Sequence, residues 1–460
     1  MEKAGTETGS AALAIEIIRE LRAKGHQAYL VGGCVRDRLL GKRPKDHDIA
    51  TEARPEDVLA YFPSSDRVGA HFGVVLVHDA SGAQVEVATF RSDFGYSDGR
   101  RPDEVVFESE PKEDALRRDF TINALFEDPL AGQVLDFAGG REDLASGIVR
   151  AIGDAKRRFQ EDHLRMLRAV RFAARLQFSI EAGTLGAIQE LTGLIKDVSA
   201  ERIRNELVRI LIEGHPRRGM ELLDQSGLLA ILLPEVKALQ GVEQPPQYHP
   251  EGDVWTHTLM MLDMLERPSA SLAMGVLLHD IGKPPTFSVA ERIRFDGHVE
   301  AGVVIARGIL DRLRFSRAET DEILALIANH MRFKDVMQMK PSTLKRFLRL
   351  PKFDEHLELH RVDCLASNGN LSSWNYAREH FATVPEEELR PPRLISGQDL
   401  IAAGYRPGPA FGRALEAVET AQLDGRLTTK EEALELAKEM LDRGPAAPAT
   451  PPDTNRKSCS

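Results

Sequence analysis

This 460-residue chain is short of cysteine and aromatic residues, with three Cys, two Trp and six Tyr. Cys34, Cys364 and Cys459 are far apart and odd in number, which excludes a disulfide framework and any zinc ribbon built on paired CxxC motifs. No run of about 18 apolar residues occurs, so no membrane-spanning helix is expected. The opening MEKAGTETGSAALAIEII lacks the basic-then-apolar order of a secretory signal. There is no GxxxxGK[ST] phosphate loop and no repeat at a period of roughly 20–50 residues. These absences point to a reduced, soluble, cytoplasmic protein with no membrane association. Positive charge is also in deficit: 60 Lys and Arg against 71 Asp and Glu give −11. That excludes a uniformly basic coat for nucleic acid but not locally basic surface, because recognition depends on where charge sits.

The length suffices for several domains with buried cores and no covalent staple. Short β-rich runs (YLVGG, FGVVLV, VEVATF, VVF, VLDF) lie between Tyr29 and about Asp136, interleaved with helical stretches. After about Gly153, Leu, Ile and Ala recur at helical spacing, as in RMLRAVRFAARL, ERIRNELVRILI and EILALIANH. The expected fold class is α+β: an N-terminal sheet domain over 11–150, then helical segments over 151–245, 246–370 and 371–443, and a loose Pro-rich tail over 444–460.

The stretch YLVGGCVRDRLLGKRPKDHDIAT concentrates chemistry. A β run ends at Gly32-Gly33, where bare backbone can approach a ligand, and a helix follows at Val35-Arg36-Asp37. Glycine turns and helix starts offer N–H groups to phosphate oxygens, and Arg36 adds a charged donor. Asp46 and Asp48 sit two apart, and in a strand such positions share a side. Paired carboxylates suit hard divalent cations. The competing reading is a solvated acidic turn. Glu86 interrupts the apolar strand VEVATF and is the candidate third carboxylate, unless it simply faces solvent.

The string GGCVRDRLLGKRPKDHDIAT, with LRRDFTINAL at 116–125, EDHLRMLRAVRFAARL at 161–176, ERIRNEL at 201–207 and LISGQDLIAAGYRPGPAFGRAL at 394–415, closely resembles class II tRNA nucleotidyltransferases and bacterial poly(A) polymerases. These form the CCA-adding branch of the polymerase β-like superfamily, and the resemblance spans roughly residues 28–440. It implies a nucleotidyltransferase head, a helical neck, an HD domain and a helical tail. It implies that Asp46 and Asp48 hold two Mg²⁺ ions, with Glu86 beside them. It places Gly32, Gly33, Arg36, Arg117, Arg118, Asp119, Asn123, Asp162, Arg165 and Arg168 around the nucleotide, Arg118 near phosphates and Asp119 near the ribose. In the family, the loop matching Arg91–Phe107 is flexible and helps the switch from C to A addition. The implied partners are tRNA, CTP and ATP, with no obligate protein partner.

Asp162 and Arg165, three apart in an expected helix, can offer an acceptor and a planar donor fork to a base edge. An ordinary Glu161–Arg165 surface pair is the alternative. Arg168, Arg171 and Arg175 continue a basic face that can be structural or contact RNA. Residues 150–218 carry 14 basic against nine acidic side chains, and Arg332–Lys352 carries seven against one, with Lys345 and Arg346 as RNA candidates.

His257, His279-Asp280, His298, His330 and Asp363 resemble the H…HD…H…H…D pattern of HD phosphohydrolases. Imidazoles with a carboxylate suit Mn, Ni, Fe or Zn. Relatives carrying this domain show phosphatase and 2′,3′-cyclic phosphodiesterase activity; a metal scaffold that merely helps hold tRNA is the alternative. Three functional readings follow: full CCA addition; poly(A) synthesis or partial CC- or A-addition; and an HD phosphohydrolase with a vestigial transferase head.

Overall fold

The computed structural model describes residues 4–67, 73–95, 99 and 103–442, with side chains from residue 9. It divides into two compact units, Met1–Ala328 and Asn329–Ser460.

The first unit opens with helix Ala4–Ala23 and a seven-stranded sheet. Its strands are β1 (Ala28–Val31), β2 (Asp48–Thr51), β3 (Ser65–Asp66), β4 (Val74–His78) and β5 (Gln84–Thr89), joined later by β8 (Leu125–Asp128) and β9 (Gln133–Asp136). Between them β6 (Arg91–Phe94) and β7 (Glu104–Phe107) form a separate antiparallel ribbon. The sheet order is β3-β4-β5-β2-β1-β8-β9, antiparallel except for the parallel pair β2–β5. Alternation dictates which face is buried. Val75, Val77, Val85 and Val87 are buried, whereas Glu86 points outward. Phe90 and Phe126 meet edge to face over the other side, in a core with Val31, Ala50 and Ala115.

Segment 91–107, expected as a loop, is thus largely a paired ribbon, with Arg91 opposite Phe107 and Phe94 opposite Glu104. Its residues 96–98 and 100–102 lie outside the described residues, as does the expected loose tail. The chain beyond Gly153 is not wholly helical either: Ser179–Ile180 pairs in parallel with Ile148–Val149, and Ser288–Val289 pairs with Ile293–Arg294.

Helix Arg165–Leu176 buries Met166, Leu167, Ala169, Val170 and Phe172 on one side. It stops at Gln177, whose left-handed backbone (φ 59°) turns its N–H back onto Ala173 and Ala174 carbonyls. Helix Ala200–Ile212 packs beside it, and helices Val254–Asp263, Ala270–Leu278 and His298–Arg312 are among those that follow in the unit. Ala270–Leu278 is apolar all round and buried all round, as its sequence requires.

The second unit is helical. Phe333, Phe347 and Phe353 anchor one core, and Ile395, Leu400, Val418 and Ala433 another. In LISGQDLIAAGYRPGPAF, Ser396 and Asp399 form a capping box, Gly404 takes a positive φ and Pro409 opens the next helix. Among the described residues no helix is long and apolar enough to cross a membrane.

Candidate nucleotide and metal sites

Asp48 begins β2, directly opposite Glu86 on β5, so both carboxylates leave the same face of the sheet. Burial and the Glu86 charge push the Asp48 carboxyl up to about 6, against the pull of Arg118 and with Asp46 adding to the push. Asp46 precedes the strand and is exposed. The pair 46/48 is therefore half strand, half loop. Between them, Nδ1 of His47 lies 3.1 Å from Ser10 Oγ on the first helix. Glu86 and Asp46 raise the cost of ionising Asp48, and three carboxylates offering oxygen donors fit a hard divalent cation.

Beside Asp48 a cavity of about 450 Å³ is lined by Gly32, Gly33, Arg36, Arg117, Arg118, Asp119, Asn123, Asp162, Arg165 and Arg168. Gly32 has φ 72°, and a Cβ there would stand 3.1 Å from Arg118 Nη1, so the turn needs glycine on both counts. Asp114, fully buried, accepts from Arg117 (2.6 Å) and Arg118 (2.9 Å) and aims both guanidiniums. Burial alone would raise its pKa, but Arg118 and Arg117 hold it below the usual carboxylate range.

One hydrogen-bonded chain runs along the cavity wall. Arg175 donates to Asp37, which accepts from Arg36; Arg36 donates to Asn123 (2.6 Å), and Asn123 to Asp119 (3.0 Å). Arg168 closes it on Asp119 at 2.6 Å. Burial opposes ionisation of Asp119, yet the Arg168 charge and the Asn123 hydrogen bond win and lower it to about 2. The Phe172 ring lies under Arg36, Arg168 and Arg171.

Two expectations change. Asp162 is not within a helix: helix Ala155–Glu161 ends before it, and Arg165 opens the next. Its extended backbone lets Oδ1 cap the Leu164 N–H, while Oδ2 accepts from Arg202 at 2.9 Å. Both residues still line the cavity, and the Glu161–Arg165 pair exists as well, at 2.8 Å. Arg171, a candidate RNA contact, has a side chain 2% exposed and bound to Glu206 at 2.6 Å, so it is a core residue showing one edge to the cavity. Arg175 is partly exposed and tied to Asp37. In the second unit Lys345 pairs with Glu388, and Arg346 with Glu419.

The histidine set is brought together in part within the first unit. One ligand atom each from His257, His279 and Asp280 lies within 4.8 Å of the others, all buried. His279 Nε2 is 3.0 Å from Asp280 Oδ2, and His298 Nε2 is 3.8 Å from Asp280 Oδ1. Gly282 permits this: a Cβ there would meet the His298 carbonyl at 2.0 Å, so only glycine lets helix His298–Arg312 come so near. Lys283 reaches Asp280 at 2.7 Å and Gln244 at 2.6 Å. Two nitrogens and a carboxylate oxygen fit a transition metal. His330 and Asp363 belong to the second unit, His330 buried at its first turn and Asp363 half-buried on helix Phe353–Ala366.

Sequence reasoning passed over Asp37, Asp114, Phe172, Arg209 and Glu251. The spacing of Asp114 to Arg117 and Arg118, three and four along a helix, was a usable signal. Arg209 and Phe172 reach the cavity through packing that spacing does not reveal.

Residues 28–150 match the Poly A polymerase head domain, 177–240 the probable RNA and SrmB-binding site of polymerase A, and 254–363 the HD domain. A Multifunctional CCA protein of Halorhodospira halophila is 38% identical over 85% of this chain and 94% of its own. A CCA-adding enzyme of Lactobacillus helveticus is 33% identical over 93% and 97%. The chain belongs to the CCA-adding enzyme family. The crystal structure of the Bacillus stearothermophilus CCA-adding enzyme in complex with CTP superposes with a TM-score of 0.71 at 28% identity, covering 95% of this chain and 98% of that one. Membership in the CCA-adding enzyme family makes the α+β architecture, head first and helices after, a shared one. Its head match encloses the Gly32 turn, both aspartates and the Arg117–Asn123 segment, while His249 and Glu251 fall just before its HD match.

Proposed function

We propose that this chain adds C, C and A from CTP and ATP to the 3′ end of tRNA without a nucleic-acid template. One observation carries the reading: a single cavity gathers the glycine turn and Asp48 of the sheet with Asp162, Arg165 and Arg168 of the helical region. Phosphate-binding, acid and base-reading groups thus face one volume the size of a nucleotide.

The 3′-hydroxyl oxygen of tRNA attacks the α-phosphorus; that P–O bond forms as the bond to the pyrophosphate oxygen breaks. Two Mg²⁺ ions at Asp46 and Asp48, with Glu86 beside them, would lower the hydroxyl pKa and neutralise the leaving pyrophosphate. Gly32 and Gly33 let the phosphates approach backbone, and Arg118, oriented by Asp114, meets their charge. Asp119, kept ionised by Arg168 and Asn123, is an acceptor for a ribose hydroxyl. Asp162 and Arg165 offer an acceptor and donors to the edge of C or A, which a G or U edge cannot match in the same pose.

The deciding experiment incubates purified protein and Mg²⁺ with tRNA ending before CCA, giving CTP alone, ATP alone, then both. The expected products end in CC with CTP alone, are unextended with ATP alone, and end in CCA with both. Addition of A only to chains already ending in CC, or long A tails on generic RNA, would select the partial or poly(A) alternatives.

A second reading concerns the His257–His279–Asp280 cluster, whose donors favour Mn, Ni, Fe or Zn. It would hydrolyse phosphomonoesters or 2′,3′-cyclic phosphates, clearing RNA ends before addition. The cytoplasm, where tRNA, CTP and ATP meet, is its place of work.

A further inference from the structure

The three imidazoles around Asp280 are all oriented through Nδ1, but not by the same kind of group. His279 Nδ1 lies 2.8 Å from the Val276 carbonyl and His298 Nδ1 lies 2.9 Å from the Phe295 carbonyl, each three residues back along its own chain. A carbonyl only accepts, so in both rings Nδ1 carries the proton and Nε2 keeps its lone pair. Backbone supplies these locks, and no side-chain change can remove them. His257 differs. Its Nδ1 lies 2.6 Å from Oε1 of Glu251, six residues earlier and outside the matched HD segment.

Glu251 joins two imidazoles, and His249, Glu251 and His257 bring a ligand atom each within 4.8 Å of one another. The Glu251 side chain is 4% exposed, and the same Oε1 also accepts from His249 Nδ1 at 2.8 Å. Its other oxygen, Oε2, is buried and accepts no hydrogen bond among the described residues. A buried carboxylate with one bare oxygen costs stability unless something else is gained. The His249 ring stands edge-on to His257 with centroids 5.1 Å apart, so the shared carboxylate fixes both rings.

The geometry points to Glu251 as the positioning residue of the metal site: it holds His257 in the Nδ1–H tautomer, directing the Nε2 lone pair to the ion that His279 and Asp280 share. This rests on the proposed metal-binding role of the cluster. Carboxylates placed behind a ligating histidine raise its basicity and fix its ring, and their loss weakens metal affinity about 10–100-fold.

The test is Co²⁺ titration of the full chain, stripped with EDTA, with excess Mg²⁺ occupying oxygen-only sites. The visible d–d absorption of nitrogen-ligated Co²⁺ is followed for wild type, Glu251→Gln, Glu251→Asp and Glu251→Ala. The expected result is a Kd about 10–100-fold weaker in Glu251→Gln and Glu251→Ala, partly restored in Glu251→Asp, with melting temperatures in EDTA close to wild type. Equal affinity in wild type and Glu251→Gln overturns the positioning role while leaving the metal site standing. A wild type without the nitrogen-ligated band removes the metal site and this inference together. Should the variants fail to fold, ¹⁵N-histidine NMR of the wild type decides: a proton on His257 Nδ1 supports the assignment, and one on Nε2 in the metal-free protein overturns it.

Discussion

Asp48 and Glu86 face each other across the only parallel pair in the described sheet, and the nearness of the second carboxylate helps to hold the first near a pKa of about 6. The sign of the consequence is fixed. A carboxyl whose folded pKa lies above its unfolded value binds more protons folded than unfolded, so stability falls as pH rises from about 4 to about 6. Asp48→Asn is expected to stabilise the metal-free protein at pH 7.5 by up to about 2–3 kcal/mol, to abolish the Mg²⁺-dependent rise in melting temperature, and to reduce transfer to background. For the wild type, the Mg²⁺ concentration giving half-maximal protection should rise as pH drops through 6. A protection curve flat between pH 5 and 8 would contradict the assignment of this carboxyl to the metal.

Asp114 aims two arginines from a fully buried position. Replacing it by Asn keeps the shape and removes the charge, stranding Arg117 and Arg118. Truncation of one partner of a buried pair costs about 3–5 kcal/mol, and Asn should lose part of that. The KM for both CTP and ATP should rise together, since the phosphates are common to both, and steady-state kinetics with each nucleotide reads this directly. A rise for one nucleotide alone would mean that Asp114 acts on base choice.

Arg165 and Arg171 sit two turns apart on one helix and should behave differently. Arg171→Ala leaves Glu206 buried without its partner and should destabilise the fold by about 3–5 kcal/mol in urea denaturation. Arg165→Ala leaves Glu161 its second partner, Arg158 at 2.8 Å, so it should cost less stability than Arg171→Ala and shift selectivity between correct and incorrect nucleotides, measured as the ratio of kcat/KM for CTP over UTP. If Arg171→Ala folds normally and only weakens tRNA binding, its side chain is not the core strut described above.

His279→Ala is expected to eliminate metal-dependent phosphohydrolysis, followed with bis-p-nitrophenyl phosphate and a 2′,3′-cyclic nucleotide, while nucleotide transfer persists. Loss of both would show that the HD cluster supports the head.

Much of the head was legible because its chemistry is local in sequence. The Gly32 turn, the DHD stretch through Asp48 and the Arg117–Asn123 segment are each a few residues long, and each lines the same cavity, although Asp46 itself does not. What escaped lay in tertiary packing. Asp162 reads as helical from its neighbours' periodicity, yet its side chain caps Leu164 and its backbone breaks the helix. Arg171 reads as one of a basic row on a single helix face, but helix Ala200–Ile212 packs over that part of the face and buries it against Glu206. Of the ribbon, β7 was legible in the run VVF, whereas its partner β6, RSDF, is too polar to signal a strand. Glu251 carries no motif at all, and only the folded position of His257 gives it meaning.

The chain of hydrogen bonds from Arg175 to Arg168 crosses twice between helix Arg165–Leu176 and the sheet domain, at Asp37 on helix Gly33–Leu39 and at Asp119 beyond helix Pro111–Leu116. The cavity therefore lies inside the first unit, where its sheet domain meets helix Arg165–Leu176. A triphosphate lying in it touches both sides, so its charge works as mortar: occupancy should stiffen the joint, and departure of pyrophosphate should slacken it. Product release would then coincide with looser packing of helix Arg165–Leu176 on the sheet domain.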